Sequence, residues 1–341
     1  MEPKLAVVGL GRIGVVHLEN ARRVGEVTAV VDANRDRAKA VAKGAKVFTS
    51  VEALLDAGVA NAAIISTPTE THAPQARALI EGGYHVLLEK PMTKSLATDR
   101  AFAAWLNAHY PDALMLAFQR RFDAPLQHVK QLIEQGVIGR PFKITSILED
   151  SGPAPAGYRS GGLLQDMSVH NVDEILWLTE QMPVAAASGR SSLYSHRLRE
   201  SEDGADDGFL WLWFDRELLG HIQVSRNHVS GYRIETWVFG EEGQIHMGRF
   251  EQNRREVVVE AYGREKSLDH RVFTMPSCGP EAPEFVPRFG PAYLEEVRTF
   301  VRCCASGTPF PVTHQDGIRA MEVIDVALSV DWSERQAARI R

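Results

Sequence analysis

The sequence predicts an α/β chain in which an N-terminal, doubly wound parallel sheet is followed by an α+β domain with a large, mostly antiparallel sheet. Three observations predict it. Up to about residue 122, short apolar, β-branched runs alternate with longer stretches of helical periodicity, the pattern of parallel strands wound by helices. The first run ends in the glycine-rich turn Gly9-Leu-Gly-Arg-Ile-Gly14. After Asp123, most β-forming runs follow one another with few helices between them, as in antiparallel sheets. With 341 residues and 44% hydrophobic side chains, the chain can bury a large core divided into two domains, 1–122 and 123–341.

In the first half, strands are placed at residues 5–10, 27–31, 62–66, 85–88 and 114–118. Their side chains are apolar almost throughout, which suits strands covered on both faces. Helical periodicity fills 13–24, 51–57, 71–82 and 95–109. In the second half a helix at 124–135 leads through a Gly-containing turn to a strand at 142–148. A Gly/Pro-rich loop, 151–162, then precedes a strong amphipathic helix at 163–179. Further strands are expected at 209–214, 219–224, 233–239 and 256–262, and helices at 292–305 and 315–335 close the chain. The aromatic run Trp211, Trp213, Phe214 and Trp237 suits sheet core or a subunit interface.

Composition excludes several classes of function. The formal net charge is −6 with both signs scattered, so no basic surface is available for nucleic acid. No window reaches the ~20 uninterrupted apolar residues of a membrane span. The opening residues leave no room for a charged segment followed by a long apolar one, and no export signal is expected. Cys278, Cys303 and Cys304 form neither a disulfide framework nor a metal-binding spacing. A soluble, cytoplasmic protein with reduced thiols and no metal site is the resulting expectation.

The glycine turn closes a strand and opens a helix. Gly9 permits the tight turn, Gly11 lets the backbone approach a diphosphate, and Gly14 lets helix and strand pack closely; Arg12 and Ile13 lie on the same turn. The second strand ends in Asp32, whose carboxylate is suited to both adenosine ribose hydroxyls and repels a 2′-phosphate. This is the Rossmann pattern. It favours NAD over NADP; Arg35 is the first cation after Asp32.

Two later segments are expected at the carboxyl edge of that sheet: Glu89-Lys90-Pro91, and Asp166 with His170, whose i,i+4 spacing puts carboxylate and imidazole on one helix face. With them, the chain resembles the glucose-fructose oxidoreductase, inositol dehydrogenase and rhizopine catabolism family, Gfo/Idh/MocA, and most nearly its inositol dehydrogenase branch. The matching stretches are GLGRIG, STPTETH (66–72), EKP (89–91), FQRRFD (118–123) and GGLLQDMSVHNVD (161–173). Asn171 departs from the pattern, standing where many relatives have Asp, and Gln119 occupies a position that is often Asn or Met.

The resemblance implies that Lys90, Asp166 and His170 are catalytic. It also implies cofactor contacts from Gly9, Gly11, Gly14, Asp32, the Thr67-Pro68 turn, His72 and Glu89. Hydride leaves a secondary alcohol carbon as the hydroxyl proton departs, so a base must lie within reach of that oxygen. An imidazole with an unperturbed pKa near ~6.5 suits His170 to this role. Asp166 would orient the ring or bind a neighbouring hydroxyl, and Lys90 would stabilise a developing alkoxide. Arg120, Asp150, Tyr158 and Asn171 complete the expected substrate contacts.

The function this implies is NAD-dependent oxidation of one hydroxyl of a cyclic polyol or sugar to a ketone. A sugar-keto reductase, a glycosidase that retains NAD and a non-catalytic nucleotide-dependent sensor are the alternatives. The intact Lys90, Asp166 and His170 set weighs against the sensor. The resemblance further implies a homodimer or homotetramer built through the open face of the C-terminal sheet.

Overall fold

The computed structural model describes residues 2–150, 152, 161–191, 205–215, 217–228, 230–248, 255–279 and 282–330. The chain divides into two compact units, one comprising residues up to Phe122 with Gly290–Ile318, the other Asp123–Phe289 with those from Arg319 onward.

The first unit runs β1 (Lys4–Val8), α1 (Arg12–Val24), β2 (Glu26–Val31), α2 (Arg35–Val41), β3 (Lys46–Phe48), α3 (Val51–Ala57), β4 (Ala62–Ile65), α4 (His72–Glu81), β5 (His85–Glu89), α5 (Leu96–His109) and β6 (Leu114–Ala117). Its strands pair in parallel in the order β3-β2-β1-β4-β5-β6. In register across the sheet, Val30, Val7, Ile64, Leu87 and Met115 form one fully buried row. The strand order reverses between β1 and β4, and such a reversal opens a crevice at the carboxyl ends of the strands.

Two elements of this unit lie beyond the sequence reading. α2 is mostly charged and buries only Ala38, so it shows little apolar period; its start is fixed by Asn34, which accepts the Asp36 and Arg37 N–H groups. β3 is a three-residue edge strand.

The expected domain 123–341 is corrected at its C-terminal end, because 290–318 belongs to the first unit. There Phe300 stacks on Phe310 with centroids 5.6 Å apart, and the Leu116 N–H of β6 donates to the Val312 carbonyl at 3.2 Å. Apolar burial recruits this stretch against a sheet assembled nearly two hundred residues earlier, which a linear reading does not reveal.

The second unit contains α6 (Ala124–Glu134), β7 (Pro141–Glu149), α7 (Leu163–Thr179), β8 (Ala185–Ser191), β9 (Asp207–Trp213), β10 (Leu219–Ser225), β11 (Arg233–Gly240), β12 (Gly243–Gly248), β13 (Glu256–Gly263) and β14 (Ser267–Thr274). Its sheet order is β14-β13-β12-β11-β7-β10-β9-β8, antiparallel except where β7 meets β10. Helices α8 (Val286–Ser306) and α9 (His314–Ser329) each span the division between the units. The expected helix 315–335 is described only as far as Ser329.

Helix α7 packs on β7, β9 and β10, while α6 packs on β12 and β13. The opposite sheet face carries Phe209, Trp213, Tyr262 and Val272, all exposed, with Trp211 stacked on His221 and Trp237 on His246. Of the aromatic run, Phe214 is buried. Among the described residues no helix is long and apolar enough to cross a membrane, and Cys278, Cys303 and Cys304 are free thiols.

Candidate active site

In the first unit the glycine turn joins β1 to α1. Gly9 has φ +87°, and a Cβ there would lie 2.8 Å from the Ser66 backbone and the Thr67 side chain. A Cβ on Gly14 would strike the Gly9 carbonyl oxygen, whereas one on Gly11 would meet nothing within 4 Å. Internal packing therefore requires Gly9 and Gly14. Gly11 instead leaves open space at the start of α1. The first turn of α1 has no side-chain cap and no acidic residue, so its N–H groups and dipole favour an anion. A diphosphate fits this arrangement.

Asp32 follows β2 and is 8% exposed. Its Oδ2 accepts the Leu10 N–H at 2.9 Å and its Oδ1 accepts the Asn34 N–H at 2.8 Å. The carboxylate is thereby fixed beside the glycine turn with acceptor capacity remaining for ribose hydroxyls. The cation facing it is Arg37, 3.4 Å from Oδ2, rather than the Arg35 singled out in the sequence. One helical turn brings Arg37 round to the carboxylate.

Thr67 and Pro68 follow β4, Glu89 ends β5 and Lys90 follows it. The Lys90–Pro91 peptide is cis. His72 does not offer a ring nitrogen to a ligand: it is 2% exposed, with Nδ1 2.8 Å from the Pro91 carbonyl and Nε2 2.8 Å from the Thr67 carbonyl. Its ring thereby joins the Thr67 and Pro91 turns. Burial pushes its imidazole below the usual histidine range, against the opposing pull of those carbonyls. Glu89 likewise turns inward, with Oε1 2.7 Å from His17 Nε2 and Oε2 accepting the Lys90 N–H at 3.2 Å. Lys90 itself is half-buried. Arg120, on a 3-10 turn after β6, is 2% exposed and so enclosed by protein.

In the second unit, α7 is buried nearly all round, yet Asp166 and His170 are both only half-buried. Such a helix holds its few accessible side chains rigidly. Asp166 Oδ2 accepts a hydrogen bond from Arg226 Nη2 at 3.0 Å. Arg226 follows β10, and no motif marks it in the sequence. Asp150 lies half-buried after β7, its backbone N–H donating to the Ser225 carbonyl at 2.8 Å and its carbonyl accepting the His228 N–H at 2.9 Å.

Asn171 is corrected from a substrate contact to a structural residue. It is fully buried and donates from Nδ2 to Ser146 Oγ at 2.7 Å. Ser146 in turn donates to Glu174 Oε1 at 2.9 Å, which also accepts from Thr236 Oγ1 at 2.6 Å. One residue past His170 is about 100° round the helix, and this rotation carries Asn171 to the sheet. Tyr158 lies outside the described residues. Among the described residues no group of three or more His, Cys, Asp or Glu side chains is placed to hold a metal.

A family model for an oxidoreductase family with an NAD-binding Rossmann fold matches residues 4–109, and one for the GFO/IDH/MocA C-terminal domain matches 126–246. The chain is similar to the myo-inositol 2-dehydrogenase of Thermotoga maritima, with 29% identity covering 99% of this chain and 98% of that protein. It is 30% identical to inositol 2-dehydrogenase 2 of Saccharopolyspora erythraea, covering 96% and 93%. The structure of scyllo-inositol dehydrogenase from Lactobacillus casei, solved with NAD(H) and scyllo-inositol, shares the fold with a TM-score of 0.81, 23% identity and 97% coverage of both chains.

Proposed function

Because this chain belongs to the Gfo/Idh/MocA oxidoreductase family, with its NAD-binding Rossmann domain, we propose that it oxidises a secondary hydroxyl of an inositol or related cyclic polyol to a ketone. The observation that carries the reading is the pair on α7: an imidazole and a carboxylate at i,i+4, both partly exposed on an otherwise largely buried helix, with the carboxylate locked by Arg226. A carbohydrate ring bearing several hydroxyls suits such a rigid array of donors and acceptors.

NAD supplies the hydride acceptor. The first turn of α1, with Gly9, Gly11, Arg12, Ile13 and Gly14, holds the diphosphate, and Asp32 holds the adenosine ribose. The Thr67-Pro68 turn and Lys90 line the same strand ends, with His72 and Glu89 fixing them from behind. His170 accepts the hydroxyl proton, Asp166 orients the ring or binds an adjacent hydroxyl, and Lys90 donates to the reacting oxygen. The exposed aromatic face of the eight-stranded sheet supports assembly as a homodimer or homotetramer, and the free thiols support a cytoplasmic location.

The test is a panel of inositols and monosaccharides with NAD or NADP, followed by absorbance near ~340 nm. Net NADH formation with a free polyol supports the reading. Glycoside cleavage without accumulation, or cofactor binding with neither signal, contradicts it.

A further inference from the structure

Behind the Glu89-Lys90 turn lies a buried polar cluster that the functional reading leaves unused. His17, on α1, is fully buried, and its Nε2 is 2.7 Å from Glu89 Oε1. Tyr293, on α8, meets the His17 ring edge-on, with centroids 5.7 Å apart. Glu296 lies three residues further along α8, on the same helix face, and is also fully buried. Neither carboxyl oxygen of Glu296 has a hydrogen-bond partner among the described residues, and neither does His17 Nδ1.

Orphaned buried groups of this kind are destabilising, and two of them in one cluster call for a common explanation. The chemistry supplies it. With Glu89 accepting the Nε2 hydrogen, the neutral imidazole presents Nδ1 as an acceptor. A carboxylic acid has an O–H to donate, and a carboxylate has none. Burial, then repulsion from Glu89, pushes the Glu296 carboxyl well above the usual carboxylate range.

We infer that Glu296 is a protonated, positioning residue, linked through one buried water to His17 Nδ1 and from there through Nε2–H to Glu89, whose other oxygen holds the Lys90 backbone. The two Glu296 oxygens and Nδ1, which lack partners among the described residues, are the polar groups that such a water would need. The chain of donors all points one way, from Glu296 to Glu89, and Glu89 receives it beside the backbone N–H of the residue assigned to the reacting oxygen. The inference rests on the proposed role of Lys90 for its functional consequence. Its structural content stands apart from that role.

Two readouts need neither substrate nor turnover. Isotope-edited infrared spectra of the full chain should show a protonated-acid C=O band in wild type that is missing in Glu296→Gln, and ¹⁵N NMR should report His17 as the Nε2–H tautomer with Nδ1 accepting. A spectrum without that band, or an Nδ1–H tautomer, overturns the inference whatever the substrate proves to be. In turnover, Glu296→Leu should lower kcat roughly tenfold through misplaced Lys90 while NADH affinity changes less than about twofold, and Glu296→Gln, which keeps a donor, should recover most of the loss. Equal losses in both variants would also overturn it.

Discussion

Arg226 holds Asp166 through a hydrogen bond of 3.0 Å between a buried guanidinium and a carboxylate that keeps a small exposed edge. A charge pair in that setting fixes the carboxylate's position far more firmly than a surface pair would. Replacing Arg226 with Met should therefore lower kcat/KM for the polyol by roughly ten- to a hundredfold while leaving NADH affinity unchanged. Steady-state kinetics combined with an NADH fluorescence titration checks this, and a loss of NADH affinity would show that Arg226 serves the nucleotide instead.

Asp32 is expected to set cofactor choice. Removing the carboxylate in Asp32→Ser deletes a charge-assisted contact to ribose, and KM for NAD should rise roughly ten- to a hundredfold. Arg37, 3.4 Å away, would lose its partner and become available to a 2′-phosphate. NADP should then gain relative to NAD, and Arg37→Ala added to Asp32→Ser should remove that gain. Kinetics with both cofactors in the three proteins decides it.

Asn171→Asp tests the corrected role of Asn171. Ser146 has one hydroxyl proton, already donated to Glu174, so a carboxylate in place of the Nδ2 donor would face an oxygen with nothing to give. A loss of about 1–3 kcal/mol is expected at pH 8, shrinking as acid protonates the new group. Thermal melts at pH 8 and pH 5.5 measure it.

Asp99 is fully buried, accepts from Thr93 Oγ1 at 2.7 Å, and has its carboxyl pushed from 3.8 up to about 6 by burial. The native state thus binds this proton more tightly than the unfolded chain. The stability it contributes is complete below pH 3.8 and is lost as pH rises through about 6. The loss amounts to about 3 kcal/mol at most. Asp99→Asn cannot ionise, so its Tm relative to wild type should improve between pH 5 and pH 8.

Much of this was legible in the sequence because the decisive signals are local. Gly9, Gly14 and Asp32 sit where a strand, a turn and a helix follow one another, and Asp166 and His170 share a face by spacing alone. Residues that depend on distant partners were not legible. His17 looks like any polar residue on α1 until Glu89 arrives beside it, and Arg226 follows an ordinary strand. His72 and Glu89 are marked by their motifs, but spacing cannot show that His72 also bonds the carbonyls of two turns or that Glu89 also meets His17. The missed strands show the same limit. β8 reads AAASGRS, poor in β-branched and aromatic residues, and pairing with β9 rather than propensity makes it a strand.

In the proposed reaction His170 takes the hydroxyl proton, and nucleotide binding does not depend on it. The most direct test is NADH formation by His170→Ala with the best polyol, alongside an NADH binding titration. Turnover should fall roughly a thousandfold with NADH affinity intact. Near-normal turnover would contradict this role of His170.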